Sequence, residues 1–177
     1  MKYIIASDIH GSSFYTKKLK SIIDLEQPDK IILLGDIYYH GPRNKLPKKY
    51  NPMKVCEILN SYADKIICVK GNCDAEVDQM ISKFDIQDSF TLEICGKKSL
   101  FTHGHQLDKN NLPKGFDLIF SGHTHIAEID TIGKVTFINP GSLSIPKGKE
   151  KNSFAIINEN QITIHKLNGD IINSIDF

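Results

Sequence analysis

The chain has 177 residues, 40% hydrophobic and 24% charged, and its 22 Lys and Arg nearly balance 21 Asp and Glu for a net charge of +1. That length supports one domain, residues 1–177, with a proper core. Charge so even, with no basic run beyond short Lys pairs, excludes a dedicated nucleic-acid surface, whose affinity needs clustered Lys and Arg, though not a nucleotide bound in a pocket.

Tyr3–Ala6 reads as a buried strand stopped by Ser7 and Asp8. Residues Ser13–Glu26 read as a helix, with Leu19, Ile22 and Ile23 on one face and Ser12 or Ser13 as cap. Lys30–Leu34 is a second buried strand, ending in Gly35-Asp36. A polar, Pro-rich loop follows at 38–52, long enough to suspect function. A helix over Met53–Ala63 and a strand over Lys65–Val69 lead into Gly71-Asn72-Cys73-Asp74. This β-α-β-α-β half predicts parallel strands with right-handed crossovers.

The second half reads as hairpins. Gly96-Lys97 joins Phe90–Cys95 to Ser99–Thr102, Gly133-Lys134 joins Glu128–Ile132 to Val135–Ile138, and Glu159-Asn160 joins Ser153–Asn158 to Gln161–Leu167. Asp117–Ser121 is a further apolar strand, and Ile171–Ile175 can add a last one. Two mixed sheets packed face to face, with helices outside, would bury them all.

Polar residues gather just past five strands: Asp8-Ile9-His10, Asp36, Asn72-Cys73-Asp74, His103-Gly104-His105 and Gly122-His123-Thr124-His125. Ligands of open α/β sheets bind beyond the carboxyl ends of the strands, so the clusters should converge on one edge. Imidazoles with carboxylates suit manganese, iron, zinc or similar divalent metals. The set exceeds what one ion needs and implies two ions sharing a carboxylate. A single D-x-H is usually a capped turn; five clusters at the same end of their strands are not. His40 and His165 fit no cluster, and His165 reads as a surface residue.

The four cysteines, Cys56, Cys68, Cys73 and Cys95, lack C-x-x-C spacing and read as reduced thiols in mostly apolar surroundings. The opening "MKYIIASDIH" is too short and too soon polar for a signal peptide, and no apolar run is long enough for a membrane span. A cytoplasmic protein without membrane attachment is expected.

D-x-H-G at 8–11, G-D at 35–36, G-N-C-D at 71–74, H-G-H at 103–105 and G-H-T-H at 122–125 resemble the calcineurin-like metallophosphoesterases. "YHGPRN" at 39–44, "GNCDAEVDQM" at 71–80 and "NPGSLSIPKG" at 139–148 resemble the small bacterial YfcE-type phosphodiesterases within that group. The resemblance implies a four-layer α/β/β/α sandwich holding two divalent ions, manganese first, with zinc, iron or nickel as alternatives. One ion would take Asp8, His10 and His125, the other Asn72, His103 and His123, with Asp36 bridging. His105 would then support the site or face substrate. The implied reaction is hydrolysis of a small phosphodiester by hydroxide held between ions about 3.5–4 Å apart, with no phospho-enzyme. A homo-oligomer is implied as well.

Cys73 stands where many members of the superfamily have histidine, proposed as general acid. A thiol of pKa ~8.5 is a poorer donor than an imidazolium, so aryl and other activated diesters should be favoured; the other reading is that Cys73 only packs behind the metals. Arg43 suits bidentate phosphate contact, against the alternative of an internal ion pair in a loop anchored by Pro42 and Pro47. Asp74 can orient the site or cap the helix that follows, and its place before Ala75-Glu76-Val77 favours the cap. Asn139–Ser142 reads as a rigid turn bordering the site. Two other functions compete: a non-catalytic, retromer-subunit-like scaffold on the same fold, and a phosphomonoesterase, which the lack of histidine at 73 weakens.

Overall fold

The computed structural model describes residues 1–108, 111–149 and 151–176. Its first sheet is built on β1 (Tyr3–Ala6), β2 (Lys30–Leu33), β3 (Ile66–Val69) and a two-residue β4 (Ile86–Gln87), all parallel. The second sheet contains β5 (Ser89–Ile94), β6 (Lys97–Thr102), β7 (Leu118–Phe120), β8 (Ala127–Ile132) and β9 (Val135–Pro140), in the order β5-β6-β7-β9-β8. The chain then returns to the first sheet with β10 (Ser153–Ile157), β11 (Gln161–Lys166) and β12 (Ile171–Asp176), which extend it antiparallel beyond β1. Both sheets are therefore mixed, as the sequence pattern implied.

The strands reading as continuous apolar runs are buried on both faces. On one side of the first sheet, Ile4, Ala6, Ile31 and Leu33 pack against Leu19 and Ile23 of α1 (Ser13–Glu26) and Val55 and Leu59 of α2 (Pro52–Asn60). On the other, Ile5, Ile32, Leu34 and Val69 meet Phe101, Leu118, Phe120 and Ile138 of the second sheet. There the rings of Phe90, Phe101 and Phe120 stack across β5, β6 and β7, 4.7 and 4.5 Å between centroids.

The capping chemistry follows the sequence. Ser12 accepts from the Tyr15 N–H to start α1, and Asn51 accepts from the Lys54 N–H to start α2 with Pro52 in its first turn. The second helix ends at Asn60, earlier than its apolar pattern suggested, because residues 61–65 close into successive turns. β4 is too short to leave a pattern; it is held by the Lys70 N–H donating to the Gln87 carbonyl at 2.6 Å. A third helix, α3 (Glu76–Ile81), follows the Asn72–Asp74 segment. Among the described residues no helix is long and apolar enough to cross a membrane.

Candidate metal centre

β1, β2 and β3 run parallel in one sheet, and β6 and β7 run parallel in the other. All five carboxyl ends therefore open on one edge, and the five polar clusters meet there. Asp8, His10 and His125 bring one ligand atom each to within 4.8 Å of one another, as do Asp8, Asp36 and His103, and His10, Asp36 and Cys73. Asp36 Oδ2 lies 3.6 Å from His10 Nε2 and 3.5 Å from His103 Nε2, between the two histidines. Asn72 Oδ1 is 3.1 Å from His103 Nε2. His123 borders the group, its ring centroid 5.2 Å from that of His103, while His105 is exposed, 5.5 Å from the same ring.

Backbone carbonyls set the tautomers. A carbonyl only accepts, so Nδ1 of His10, His103 and His125 must donate to Tyr39, Leu34 and Ile145, at 2.8, 2.6 and 2.8 Å. Each Nε2 lone pair is then turned inward. His10 Nε2 and His125 Nε2 face each other at 3.4 Å, and His103 Nε2 faces an amide oxygen. Asp8 Oδ1 is buried without a directed hydrogen bond, though His125 Nε2 is 3.1 Å away. Such a cluster of inward lone pairs requires positive charge between them, protons or cations. The donor set, imidazole nitrogen with carboxylate and amide oxygen, fits divalent transition metals.

The loops are strained to present these groups. Asp8, His10, Asp36, His123 and His125 all have φ between 48° and 64°, a region that residues other than glycine seldom occupy and which costs roughly 1–3 kcal/mol each. The surroundings over-determine the conformation. Asp8 N–H donates to the Gly35 carbonyl, and its own carbonyl accepts from Ser142 Oγ at 2.9 Å and Ser144 Oγ at 3.1 Å. Asp8 Oδ2 accepts from Ser7 Oγ and the His123 N–H. Asn139 Nδ2 donates to the Gly122 carbonyl at 2.7 Å. Asn139–Ser142, expected as a turn, is instead the end of β9 and the two residues after it, and it anchors the loops that carry Asp8 and His123. Gly71 and Gly122 permit the approach: a Cβ on Gly71 would lie 2.1 Å from Asp36 Oδ1, and one on Gly122 would lie 1.9 Å from Ser7 Oγ.

Asp74 corrects the reading as a cap. Its Oδ2 accepts from the Asp36 and Gly71 N–H groups, both at 2.7 Å, and its Oδ1 from the Ile37 N–H at 2.8 Å. It clamps the loop after β2 to the loop after β3. The start of α3 is held by Asp78, whose carboxylate accepts from the Ala75 N–H. Sequence distance concealed this, since the partners lie 37 and 38 residues away. Cys95 also departs from expectation: it is exposed on the Gly96 turn, whereas Cys56 and Cys68 are buried. His165 is half-buried, stacked on Phe154.

Electrostatics in the metal-free chain follow from this packing. Burial alone would raise Asp8 and Asp36; attraction to the neighbouring imidazoles of His10 and His125 for Asp8, and of His103 for Asp36, outweighs it and holds both below the usual carboxylate range. Burial pulls the imidazolium of His103 down, but Asp36 and Asp8 push it up to about 9, and His10 is raised in the same way. His105 and His123 are lowered by burial and by the charge of His103. Burial, then Asp36, push the Cys73 thiol up to about 12. Asp74 is raised by burial despite its three donors.

A cleft of about 830 Å3 opens over the cluster. Besides the expected Arg43, Asn72, Cys73, His123 and His125, it is lined by Tyr39, Thr124 and Lys147, which lie inside the recognised motifs but were given no role from sequence.

A profile described as the calcineurin-like phosphoesterase superfamily domain matches residues 1–161. Phosphodiesterase YfcE of Escherichia coli (strain K12) is 41% identical over 175 residues, spanning 97% of this chain and 95% of that protein. The solved structure of the E. coli YfcE phosphoesterase superposes with a TM-score of 0.95 and 37% identity, covering 99% of both chains. Vacuolar Protein Sorting 29 of Cryptosporidium parvum covers 99% of this chain and 98% of its own at a TM-score of 0.68, but at 14% identity the likeness extends to fold alone.

Proposed function

The chain belongs to the calcineurin-like phosphoesterase superfamily, and from that premise we propose that it is a phosphodiesterase using two divalent cations, manganese foremost. The observation that carries the reading is the inward set of Nε2 lone pairs and carboxylate oxygens, with Asp36 between His10 and His103. Asp8, His10 and His125 would hold one cation, Asn72, His103 and His123 the other, and Asp36, lying between His10 and His103, would serve both. When bound, such a pair supplies a water that loses its proton near neutral pH and offsets charge on the phosphoryl oxygens.

The protein's own groups do the rest. The carbonyls of Tyr39, Leu34 and Ile145 hold the Nδ1 protons of the three imidazoles, so that Nε2 is the nitrogen each ring presents toward the cations. Arg43 and Lys147, on the walls of the cleft, contact substrate oxygens. His105, at the edge of the cluster, faces substrate or supports His103. Cys73 offers a thiol where many members of the superfamily carry histidine, a poorer proton donor than an imidazolium, which supports direct transfer to water with activated, aryl leaving groups. The filled ligand set argues for catalysis over a scaffold role. Four free cysteines support a cytoplasmic location, and the family resemblance alone supports a homo-oligomer.

Metal-free protein supplied with Mn2+ should hydrolyse bis(4-nitrophenyl) phosphate. Asp36→Asn should abolish that activity while leaving the circular dichroism spectrum unchanged. Full activity in this variant would remove the two-cation mechanism.

A further inference from the structure

Three cavities meet along residues 72–75. The cleft over the metal cluster is one. A second, of about 510 Å3, lies beyond Asn72 and Asp74 and is polar, lined by Lys70, Asp88, Thr102, His105 and Gln106. The third, of about 330 Å3, is continuous with the cleft, since Tyr39, Cys73 and Ala75 line both. Its other walls are Tyr38, Tyr50, Pro52, Val77 and Asp78.

This third cavity offers a ligand little but aromatic, aliphatic and thiol surface. The carboxylate of Asp78 is engaged by the Ala75 N–H at 2.7 Å, and the hydroxyl of Tyr38 bonds Ser82 Oγ at 2.8 Å. The tyrosine walls are braced: the ring of His40 meets Tyr39 edge-on at 4.8 Å and Tyr50 at 5.3 Å. Yet Tyr39 is 44% exposed and Val77 57% exposed. Large apolar groups are left uncovered where this cavity adjoins the reaction cleft.

We propose that this cavity receives one ester arm of the substrate, and that this arm is aromatic or otherwise apolar. The inference rests on the phosphodiesterase reading above. A diester held at phosphorus by the Asp8–Asp36–His103 cluster extends two arms into the spaces beside it. One of those spaces is polar, and the other, past Cys73 and Tyr39, is apolar. Its volume lies within the small-molecule range of about 300–1,000 Å3. Burying a phenyl ring in place of a methyl group there should tighten binding roughly 10- to 100-fold.

The test uses Mn2+-loaded protein hydrolysing bis(4-nitrophenyl) phosphate, inhibited by methyl phenylphosphonate or by methyl methylphosphonate. The wild type should bind the phenyl compound roughly 10- to 100-fold more tightly. Val77→Asp and Val77→Ser alter an exposed position outside the metal cluster. They should collapse most of that ratio while leaving inhibition by the methyl compound unchanged. An unchanged ratio in both variants, or a wild type that hydrolyses the diester without preferring the ring, overturns the subsite and spares the reaction. A changed oligomeric state with the ratio intact also overturns it, assigning the cavity to an interface between copies. No hydrolysis with any divalent cation overturns the reaction itself, and the subsite with it.

Discussion

Replacing Asp74 by Asn changes almost nothing in shape and one thing in chemistry. The carboxylate accepts three buried N–H groups, two on Oδ2 and one on Oδ1. An amide oxygen can keep the Asp36 and Gly71 donors, but the amide nitrogen then faces the Ile37 N–H, donor against donor. An unsatisfied buried polar group costs about 1–3 kcal/mol. Part of this is offset, because burial and the neighbouring Asp36 already hold the Asp74 carboxyl above its usual range, so losing the charge relieves some strain. A net loss of about 1–2 kcal/mol follows, which for a chain of this size lowers Tm by about 2–8 °C. The Ile37 N–H left without its acceptor loosens the loop that carries Asp36 and should also weaken cation binding about 10- to 100-fold, the usual effect of losing a group that orients metal-binding side chains. Thermal melts in EDTA measure the first effect, and titration of activity with Mn2+ measures the second. A variant with wild-type Tm and wild-type Mn2+ dependence would refute the clamp.

Three further outcomes follow from the same geometry. Gly71→Ala should lower kcat/KM about 100-fold or more, because the new Cβ would lie 2.1 Å from Asp36 Oδ1 and must displace it; near-normal turnover would show that the Asp36 loop tolerates the shift. Cys73→His should raise the rate on 4-nitrophenyl phosphate relative to bis(4-nitrophenyl) phosphate, and an unchanged ratio would reduce the thiol to packing. In metal-free protein His103 is raised from 6.5 to about 9, so its contribution to stability is complete below 6.5 and fades as pH rises through about 9. The same proton competes for Nε2, so Mn2+ affinity should rise about tenfold per pH unit between 7 and 9, and a flat calorimetric profile would contradict it.

Local patterns in the sequence carried the elements and the chemistry of the site. Ser13–Glu26 appears in the structure with the bounds its apolar face and cap implied. The hairpin turns at Gly96 and Gly133 joined the expected strands. Each apolar run that stopped at Asp, Asn or His marked a strand end, because hydrophobic burial and side-chain chemistry are both written residue by residue. Hydrogen bonds that close over long distances are not. Asp74 resembled a helix cap because its neighbours in sequence suggest one, while its partners at Asp36 and Ile37 arrive only when β2 and β3 pair. Ser142 and Ser144 reach the carbonyl of Asp8 across 134 and 136 residues, a contact that exists only once the two sheets stack. The left-handed backbone of Asp8, Asp36 and His125 is likewise a property of the assembled edge, since Asp and His tolerate that conformation more readily than most residues but the contacts that hold it here come from distant segments. Residue identity chose the donor atoms; packing of the two sheets decided where their lone pairs point.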